Sequence, residues 1–265
     1  MKFEFEDNWL VFQALVNGKS RRVILDSGAS VFWMREGIYK DQKLRACRSQ
    51  LISDFAKHSK KYKVCPGLMI GLFGRRYIMN ATVLSSDDHW LKAKYNFDGL
   101  LGVEVFNDAV FEVDSRRKIV TVHETTQYSP KQADSSVSIK YRRQRPFVDI
   151  EINGREYTAL LDTGFGGSIH LPRKFSDLSD GEFTPKLSKG VNRAGMVEDK
   201  KAAIKSISIA GLELKDVPAI IRNKRTAPSA ADAVVGMGLL RNFIVTFDFP
   251  HRRLHLRPYP EGRAE

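Results

Sequence analysis

The sequence predicts an all-β protein made of two similar halves with few short helices, and three observations support this prediction. Phe12–Gly28 and Val148–Gly164 can be laid on each other without a gap, at an offset of 136 positions. A second block, Asp98–Gly102, repeats as Asp232–Gly236 at an offset of 134 positions. The apolar segments between these blocks are short and partly β-branched, which is typical of strands. An internal repeat of this length indicates that one structural unit occurs twice.

Each half opens with a predicted hairpin. Asn17-Gly18 and Asn153-Gly154 both stand between alternating apolar residues. An Asn-Gly pair favours the type I′ turn, because that turn needs positive φ at both central positions. The second strand of each hairpin is apolar and runs directly into an Asp-Ser-Gly or Asp-Thr-Gly motif. Further short strands are predicted at Leu68–Ile70, Tyr77–Leu84, Val110–Val113, Ile119–Val122, Ile204–Ile209, Val217–Ile221, Phe243–Phe247 and Leu254–Leu256.

The division into halves follows from the repeat. The first half is predicted to span residues 1–128 and the second half residues 142–265. Residues 129–141 are predicted to form a linker on the surface, because they lie within Glu124–Arg145, a segment rich in Ser, Gln, Lys and Arg and poor in large apolar residues. The few predicted helices are Asp87–Lys94, Lys43–Phe55 and a turn or two after each of Gly102 and Gly236.

The composition is that of a globular protein with a basic surface. Hydrophobic residues make up 42% of the chain and charged residues 28%, so disorder and coiled coils are poor interpretations. The chain has 43 Lys and Arg against 31 Asp and Glu, a net charge of +12. The basic stretches Lys57–Lys63 and Tyr141–Arg145 would suit phosphate groups, but no nucleic-acid-binding motif accompanies them. Nucleic acid is therefore a rival hypothesis and not the expected partner.

No segment predicts a membrane span. The best apolar run, Ala233–Leu240, stops at Arg241, well short of the about 18 residues that a spanning helix needs. Within Met1–Asp7, acidic residues stand where a signal peptide has its apolar core. This predicts a cytoplasmic protein, or a secreted or periplasmic one if a leader has been trimmed.

The thiol and imidazole groups predict no metal site. Cys47 and Cys65 are too few for a disulfide scaffold, and they form either two reduced thiols or one optional disulfide. His251 and His255 are four residues apart, but they lie in a predicted strand, where this spacing gives no helical pairing. They are expected to be ordinary surface histidines, and no metal or organic cofactor is expected.

The doubled acidic motif carries the functional prediction. Asp26–Gly28 and Asp162–Gly164 each follow an apolar strand. Each half later contains two apolar residues followed by a Gly, and this Gly lies 76 positions after Asp26 and 74 positions after Asp162. This pattern spans nearly the whole chain and resembles the aspartic protease superfamily, the pepsins and retropepsins, in its bilobal single-chain form. Phe165 is similar to the residue found here in certain bacterial retropepsin-like proteins. The resemblance implies two acid-protease-like β-barrel lobes.

The resemblance further implies an aspartic endopeptidase, which hydrolyses peptide bonds by a water molecule activated between Asp26 and Asp162. Two carboxylates a few ångströms apart cannot both ionise easily, so the pair would hold one proton and supply one acid and one base. Which of the two carries the proton is open at this point. The expected partner is a polypeptide in extended conformation, bound by a monomer. The alternative is a catalytically inactive peptide-binding module on the same fold.

The neighbouring residues have roles that the resemblance supplies. Ser27 and Thr163 would hydrogen-bond across the boundary between the halves, and Gly28 and Gly164 would let the backbone pass close to the opposite acid. A flap over the substrate would lie at Gly190–Gly195 and, by the repeat offset, near Ser53–His58. The candidate flap residues are Gly190, Asn192, Gly195 and Phe55.

The residues after the two glycines bear on the pH dependence. Ala29 and Phe165 stand where pepsins have a hydroxyl group that bonds the acid. Losing such donors removes a stabiliser of the ionised form, so the predicted pH optimum is less acidic than that of stomach-type enzymes.

Overall fold

The computed structural model describes residues 1–41, 47–53, 59–84, 96–178, 182, 184–187, 196–223 and 231–260. This part of the chain is mostly β, as predicted. Its helices are short and comprise α1 (Glu36–Asp41), α2 (Met237–Leu240) and the 3-10 turns Val103–Phe106, Thr125–Gln127 and Arg173–Leu178. None of its helices is long and apolar enough to cross a membrane.

The first eight strands form one sheet. They are β1 (Glu4–Glu6), β2 (Trp9–Val16), β3 (Lys19–Leu25), β4 (Phe32–Arg35), β5 (Arg48–Ser53), β6 (Ser59–Leu72), β7 (Arg75–Leu84) and β8 (Gly99–Leu101). Their order across the sheet is β1-β2-β3-β8-β4-β7-β6-β5, and β2 also pairs with β6. This extra pairing closes a ring of six strands, so the sheet is a small barrel with β1 and β5 outside the ring.

A second sheet of eight strands has the same internal order. Its strands are β12 (Lys140–Arg142), β13 (Arg145–Ile152), β14 (Arg155–Asp162), β15 (Ile169–Pro172), β16 (Thr184–Leu187), β17 (Met196–Ile209), β18 (Leu212–Arg222) and β19 (Ala233–Gly236). They run β12-β13-β14-β19-β15-β18-β17-β16, and β13 also pairs with β17. In both sheets, the strand that leads to the acidic motif pairs in parallel with the strand that leads to the later Gly.

A five-stranded sheet combines strands from both halves of the sequence. Its strands are β9 (Val110–Asp114), β10 (Ile119–His123), β11 (Ser135–Ser138), β20 (Phe243–Asp248) and β21 (Arg253–Pro258). The order is β10-β9-β20-β21-β11, and β9 pairs antiparallel with β20. The region predicted as a linker therefore contains a strand, β11, which pairs with β21.

The hydrophobic core joins the three sheets. One large buried cluster contains residues from both halves, among them Phe12, Val148 and Phe247. Phe106 lies near its centre, with ring centroids 5.2 Å from Phe111 and 5.7 Å from Phe247. Because the core is continuous, the strands that lead to the two acidic motifs pack against the same buried cluster.

Both predicted hairpin turns are confirmed. Asn17 and Gly18 have φ angles of 47° and 82°, and Asn153 and Gly154 have φ angles of 50° and 76°. The Asn17 side chain accepts a hydrogen bond from the backbone N–H of Met69 (2.8 Å), which ties the turn to β6. In the second half, Asn153 accepts the same kind of bond from Ser206 (3.1 Å). The eight further strands predicted from the sequence are also present.

The structure corrects the prediction of a helix over Lys43–Phe55. Residues 48–53 form β5, which pairs antiparallel with β6. Leu44, Cys47, Leu51 and Phe55 recur at helical spacing. The edge of β6 nevertheless offers the backbone groups of residues 48–53 hydrogen-bond partners, so the strand prevails. The predicted helix Asp87–Lys94 lies outside the described residues. The turns after Gly102 and Gly236 are confirmed as the 3-10 turn Val103–Phe106 and α2.

Two further predictions can be compared with the structure. Cys47 and Cys65 form a disulfide, which is one of the two states that the sequence left open. His251 is exposed as expected, but the prediction was wrong for His255, which is 3% exposed. His255 is buried because β21 lies between β20 and β11, and its ring is bonded to Ser136 (2.6 Å) and contacts Asp248 (3.5 Å).

Candidate active site

The two acids lie at the ends of equivalent strands. Asp26 directly follows β3, and its backbone N–H donates to the carbonyl of Leu101 (2.9 Å). Asp162 is the last residue of β14, where it pairs with Gly236 of β19. Both strands are apolar and buried near this end. The two carboxylates lie where the apolar run stops.

The hydroxyl residues after the two acids bond reciprocally. The Ser27 hydroxyl donates to the carbonyl of Leu161 (2.8 Å), and the Thr163 hydroxyl donates to the carbonyl of Leu25 (2.8 Å). Each hydroxyl also accepts from the backbone N–H of the other residue, at 2.9 and 3.1 Å. Both side chains are 0% exposed, so the four bonds fix the two motifs against each other without competition from water.

The two glycines bring each carboxylate against the opposite backbone. A Cβ atom placed on Gly28 would lie 2.5 Å from the carboxyl carbon of Asp162. A Cβ atom on Gly164 would lie 2.3 Å from the carboxyl carbon of Asp26. No side chain fits at either position, and this close approach lets the two carboxyl groups hydrogen-bond to each other. All six residues of the two motifs therefore meet at one place.

The environments of the two carboxyl groups are unequal. Burial, the negative charge of Asp26 and the hydrogen bond to Asp26 raise the pKa of Asp162 well above its usual range. Burial also raises the pKa of Asp26, but its bond with Asp162 and the N–H groups of Gly28 (2.8 Å) and Ala29 (3.1 Å) act in the opposite direction. The N–H of Gly164 lowers the pKa of Asp162 in the same way, so it is the second N–H bond, from Ala29, that favours the negative charge of the pair on Asp26. Both residues are partly exposed to solvent.

Arg145 is a charged neighbour of this pair that the sequence analysis missed. It is the first residue of β13, and its positive charge acts to lower the pKa of both Asp26 and Asp162. In the sequence it belongs to the basic stretch Tyr141–Arg145, which by itself suggests only an affinity for phosphate groups. The signal that could have found it is the repeat, because the offset of 136 positions places Arg145 on Trp9, just before the repeated block Phe12–Gly28 that ends in the first acidic motif.

Apolar surfaces flank both acids. On the Asp26 side, a cluster of buried residues includes Tyr62 and has Ala29, Val31 and Ile52 packed against it, so the β5–β6 hairpin approaches the first motif. On the Asp162 side, Phe165 packs against a smaller buried cluster. The members of this second cluster are Phe147, Leu160 and Val234. Such surfaces can receive apolar side chains of a bound peptide.

The candidate flap residues fall outside the described residues. These are Phe55, Gly190, Asn192 and Gly195. The strands on either side of them are described, and both pairs are antiparallel. β5 and β6 pair as far as Ser53 and Ser59, and β16 and β17 pair as far as Leu187 and Met196. The described part of the chain contains no group of three His, Cys, Asp or Glu side chains placed to hold a metal ion.

Comparison with known proteins adds information about the fold. The sequence matches no protein-family model and no curated protein. Among solved structures, the crystal structure of basic 7S globulin from soybean aligns with a TM-score of 0.53 and 10% sequence identity. The alignment covers 97% of this chain and 93% of that chain. At this identity, the likeness shows a shared fold and carries no statement about activity.

Proposed function

We propose that the chain is an aspartic endopeptidase, with Asp26 and Asp162 as its catalytic residues. The observation that carries the proposal is the reciprocal packing in which each carboxyl group lies against the glycine of the opposite motif. This arrangement holds two acids so close that one proton is shared between them. A shared proton gives the site one general acid and one general base at the same pH.

The reaction follows from the unequal environments of the two acids. Ionised Asp26 takes a proton from a water molecule while the water oxygen attacks the peptide carbonyl carbon. Protonated Asp162 donates its proton to the carbonyl oxygen, which gives an uncharged diol. Asp26 then passes its proton to the leaving nitrogen, Asp162 recovers a proton from one diol hydroxyl, and the C–N bond breaks. The two carboxyl groups end in their starting states.

The proposal includes two acid-protease-like lobes related by internal duplication. It is supported by the identical strand order of the two eight-stranded sheets. It is also supported by contacts that recur at matching positions. Asp98 bonds the backbone N–H of Arg22 (2.9 Å), and Asp232 bonds that of Thr158 (3.3 Å). The lobes would be residues 1–128 and 142–265, joined through residues 129–141.

The proposed substrate is an extended polypeptide with apolar residues next to the cleaved bond, bound by a monomer without metal or cofactor. The apolar clusters beside Asp26 and Asp162 support this choice of side chains. Neither a membrane nor nucleic acid is part of the proposal. The disulfide between Cys47 and Cys65 favours a secreted or periplasmic site of action over the cytoplasm, because disulfides persist in oxidising compartments.

Cleavage of denatured casein tests the proposal. The rate would be measured from about pH 3 to about pH 8 for the wild type, Asp26→Asn and Asp162→Asn, with and without a statine-type inhibitor. Both variants should lose about 10²- to 10⁴-fold in kcat/KM, and the inhibitor should block the wild type. Asp149→Asn, which removes a partly exposed carboxylate of β13, serves as the matched control.

Two results would contradict the proposal. Undiminished cleavage by either dyad variant would show that the two acids do not perform the reaction. A folded wild type that cleaves nothing would instead favour the inactive peptide-binding module, and loss of inhibitor binding in the Asp26→Asn and Asp162→Asn variants would then place the bound peptide at the two acids.

A further inference from the structure

The two halves differ in the residue that lies beside the acid. Trp9 begins β2 and Arg145 begins β13, each after a two-residue turn. The pairing of Val11 with Ile24, continued by two residues, brings Trp9 opposite Asp26. The pairing of Phe147 with Leu160, continued in the same way, brings Arg145 opposite Asp162. One half thus has an indole and the other a guanidinium at the same position.

A side chain at this position reaches across to the other half. A Cβ atom on Gly166, in the loop after Asp162, would lie 3.5 Å from Nε1 of Trp9. The charge of Arg145 likewise acts on Asp26, the acid of the other half, and also on Asp162. Its Nε atom is shielded from solvent, while the residue as a whole is partly exposed, so water screens this charge only in part.

The other charges around Arg145 do not replace its effect. Arg143, in the turn before β13, repels it. The side chain of Arg142, its partner in β12, lies over the ring of Phe147 at 5.6 Å. Lys140 of β12 donates a hydrogen bond to Asp149 (2.6 Å), so its positive charge is paired with that carboxylate. On the β3 and β14 sides, the charged groups that act on Arg145 are Asp26 and Asp162 themselves.

We propose that Arg145 is a positioning residue for the carboxyl pair, one that keeps the pair singly ionised toward lower pH. This proposal rests on the proposed function and extends it to the regulation of the same site. Trp9 shows that the fold accepts an uncharged side chain at the equivalent position. Burial of the guanidinium lowers the pKa of Arg145, and the charges of Asp26 and Asp162 act in the opposite direction.

The test measures the acids directly and through the reaction. Carboxyl ¹³C NMR would follow the titration of Asp26 and Asp162, and kcat/KM for a casein-derived peptide would be recorded against pH. The proteins would be the wild type, Arg145→Met, Arg145→Lys and Arg143→Met. Arg143→Met removes an exposed positive charge two residues away and is the matched control.

Arg145→Met should shift both limbs of the kcat/KM profile, and both carboxyl titrations, to higher pH by on the order of one unit. Removing the positive charge makes ionisation harder, so the sign of the shift is upward. Arg145→Lys should restore most of the wild-type profile, and Arg143→Met should leave it in place. If Arg145→Met does not fold, Arg145→Trp replaces it, because that side chain is the one used in the first half.

The outcomes separate this proposal from the proposed function. A folded Arg145→Met or Arg145→Trp variant with wild-type titrations would overturn the role of Arg145. If the wild type cleaves no peptide, the proposed function fails, but the NMR titrations still decide whether Arg145 controls the ionisation of the pair. An equal shift in Arg143→Met would also overturn the proposal, because it would reveal a general charge effect.

Discussion

Ser27 and Thr163 are 136 residues apart in the chain, and each hydroxyl donates to the backbone carbonyl that immediately precedes the acid of the other motif. The carbonyls belong to Leu25 and Leu161, the residues before Asp26 and Asp162. The pair therefore joins the two strand ends directly. Removal of either hydroxyl would therefore disturb the backbone next to both Asp26 and Asp162.

The first prediction concerns this pair. Ser27→Ala and Thr163→Val should each lower the free energy of unfolding by about 1–3 kcal/mol for every buried backbone group left without a partner. The double variant should cost less than the sum of the two single variants, because both remove parts of the same four-bond network. Urea denaturation of the four proteins in a double-mutant cycle measures this. Strict additivity would show that the two hydroxyls act independently.

The second prediction concerns the glycines. Gly28→Ala and Gly164→Ala should reduce kcat/KM by about 10²-fold or more, because the new methyl group would displace the opposite carboxyl group from its productive position. Gly37→Ala is the control, since a Cβ atom there meets nothing within 4 Å and Ala is the better helix former. Retention of full activity in Gly28→Ala or Gly164→Ala would contradict the close packing of the acids.

The third prediction concerns pH and stability. Because the pKa of Asp162 is raised in the folded state, that state binds more protons than the unfolded chain above about pH 4. The contribution of Asp162 to stability is therefore present at low pH and is lost as the pH rises toward the folded pKa. Asp162→Asn should thus become more stable relative to the wild type as the pH rises. Urea denaturation at several pH values checks this, and a pH-independent difference would refute it.

The fourth prediction compares two ion pairs. Arg222 forms two hydrogen bonds to Asp199 (2.6 and 2.9 Å), and their side chains are only 13% and 8% exposed. Arg222→Met should cost about 3–5 kcal/mol, because it removes the two charged hydrogen bonds that the buried Asp199 carboxylate accepts from Arg222. Lys140→Met, in a pair with 52% and 42% exposure, should cost less than about 1 kcal/mol. Equal losses from thermal or urea unfolding would contradict this ranking.

The parts of the fold that could be predicted are those encoded by neighbouring residues. The Asn17-Gly18 turn depends on two backbone conformations that this dipeptide favours, and the strand after it depends on its own apolar residues. Repetition then placed Asp26 and Asp162 at equivalent strand ends. The meeting of the two motifs followed from the family resemblance, and the structure brings the same residues together.

The parts that could not be predicted depend on distant contacts. Arg145 belongs to a basic stretch with no alternation of polar and apolar residues that would indicate which side chain faces inward. The side of the sheet on which Arg145 lies depends on the preceding turn, where Arg143 and Gln144 have φ angles of 51° and 62°. Nothing in their side chains favours that conformation. Likewise, β5 exists because β6 lies beside it, and His255 is buried because β11 covers the edge of β21.

The reciprocal bonding also has a consequence for the order in which the protein forms. A ribosome releases Asp26 long before Thr163 and Gly164, and β9 before its partner β20. The first motif therefore leaves the ribosome without the hydroxyl, the carbonyl and the glycine that complete it. The two acids can meet only after the chain has been translated beyond Gly164, so a nascent or truncated chain that ends before Asp162 carries one carboxylate without its counterpart.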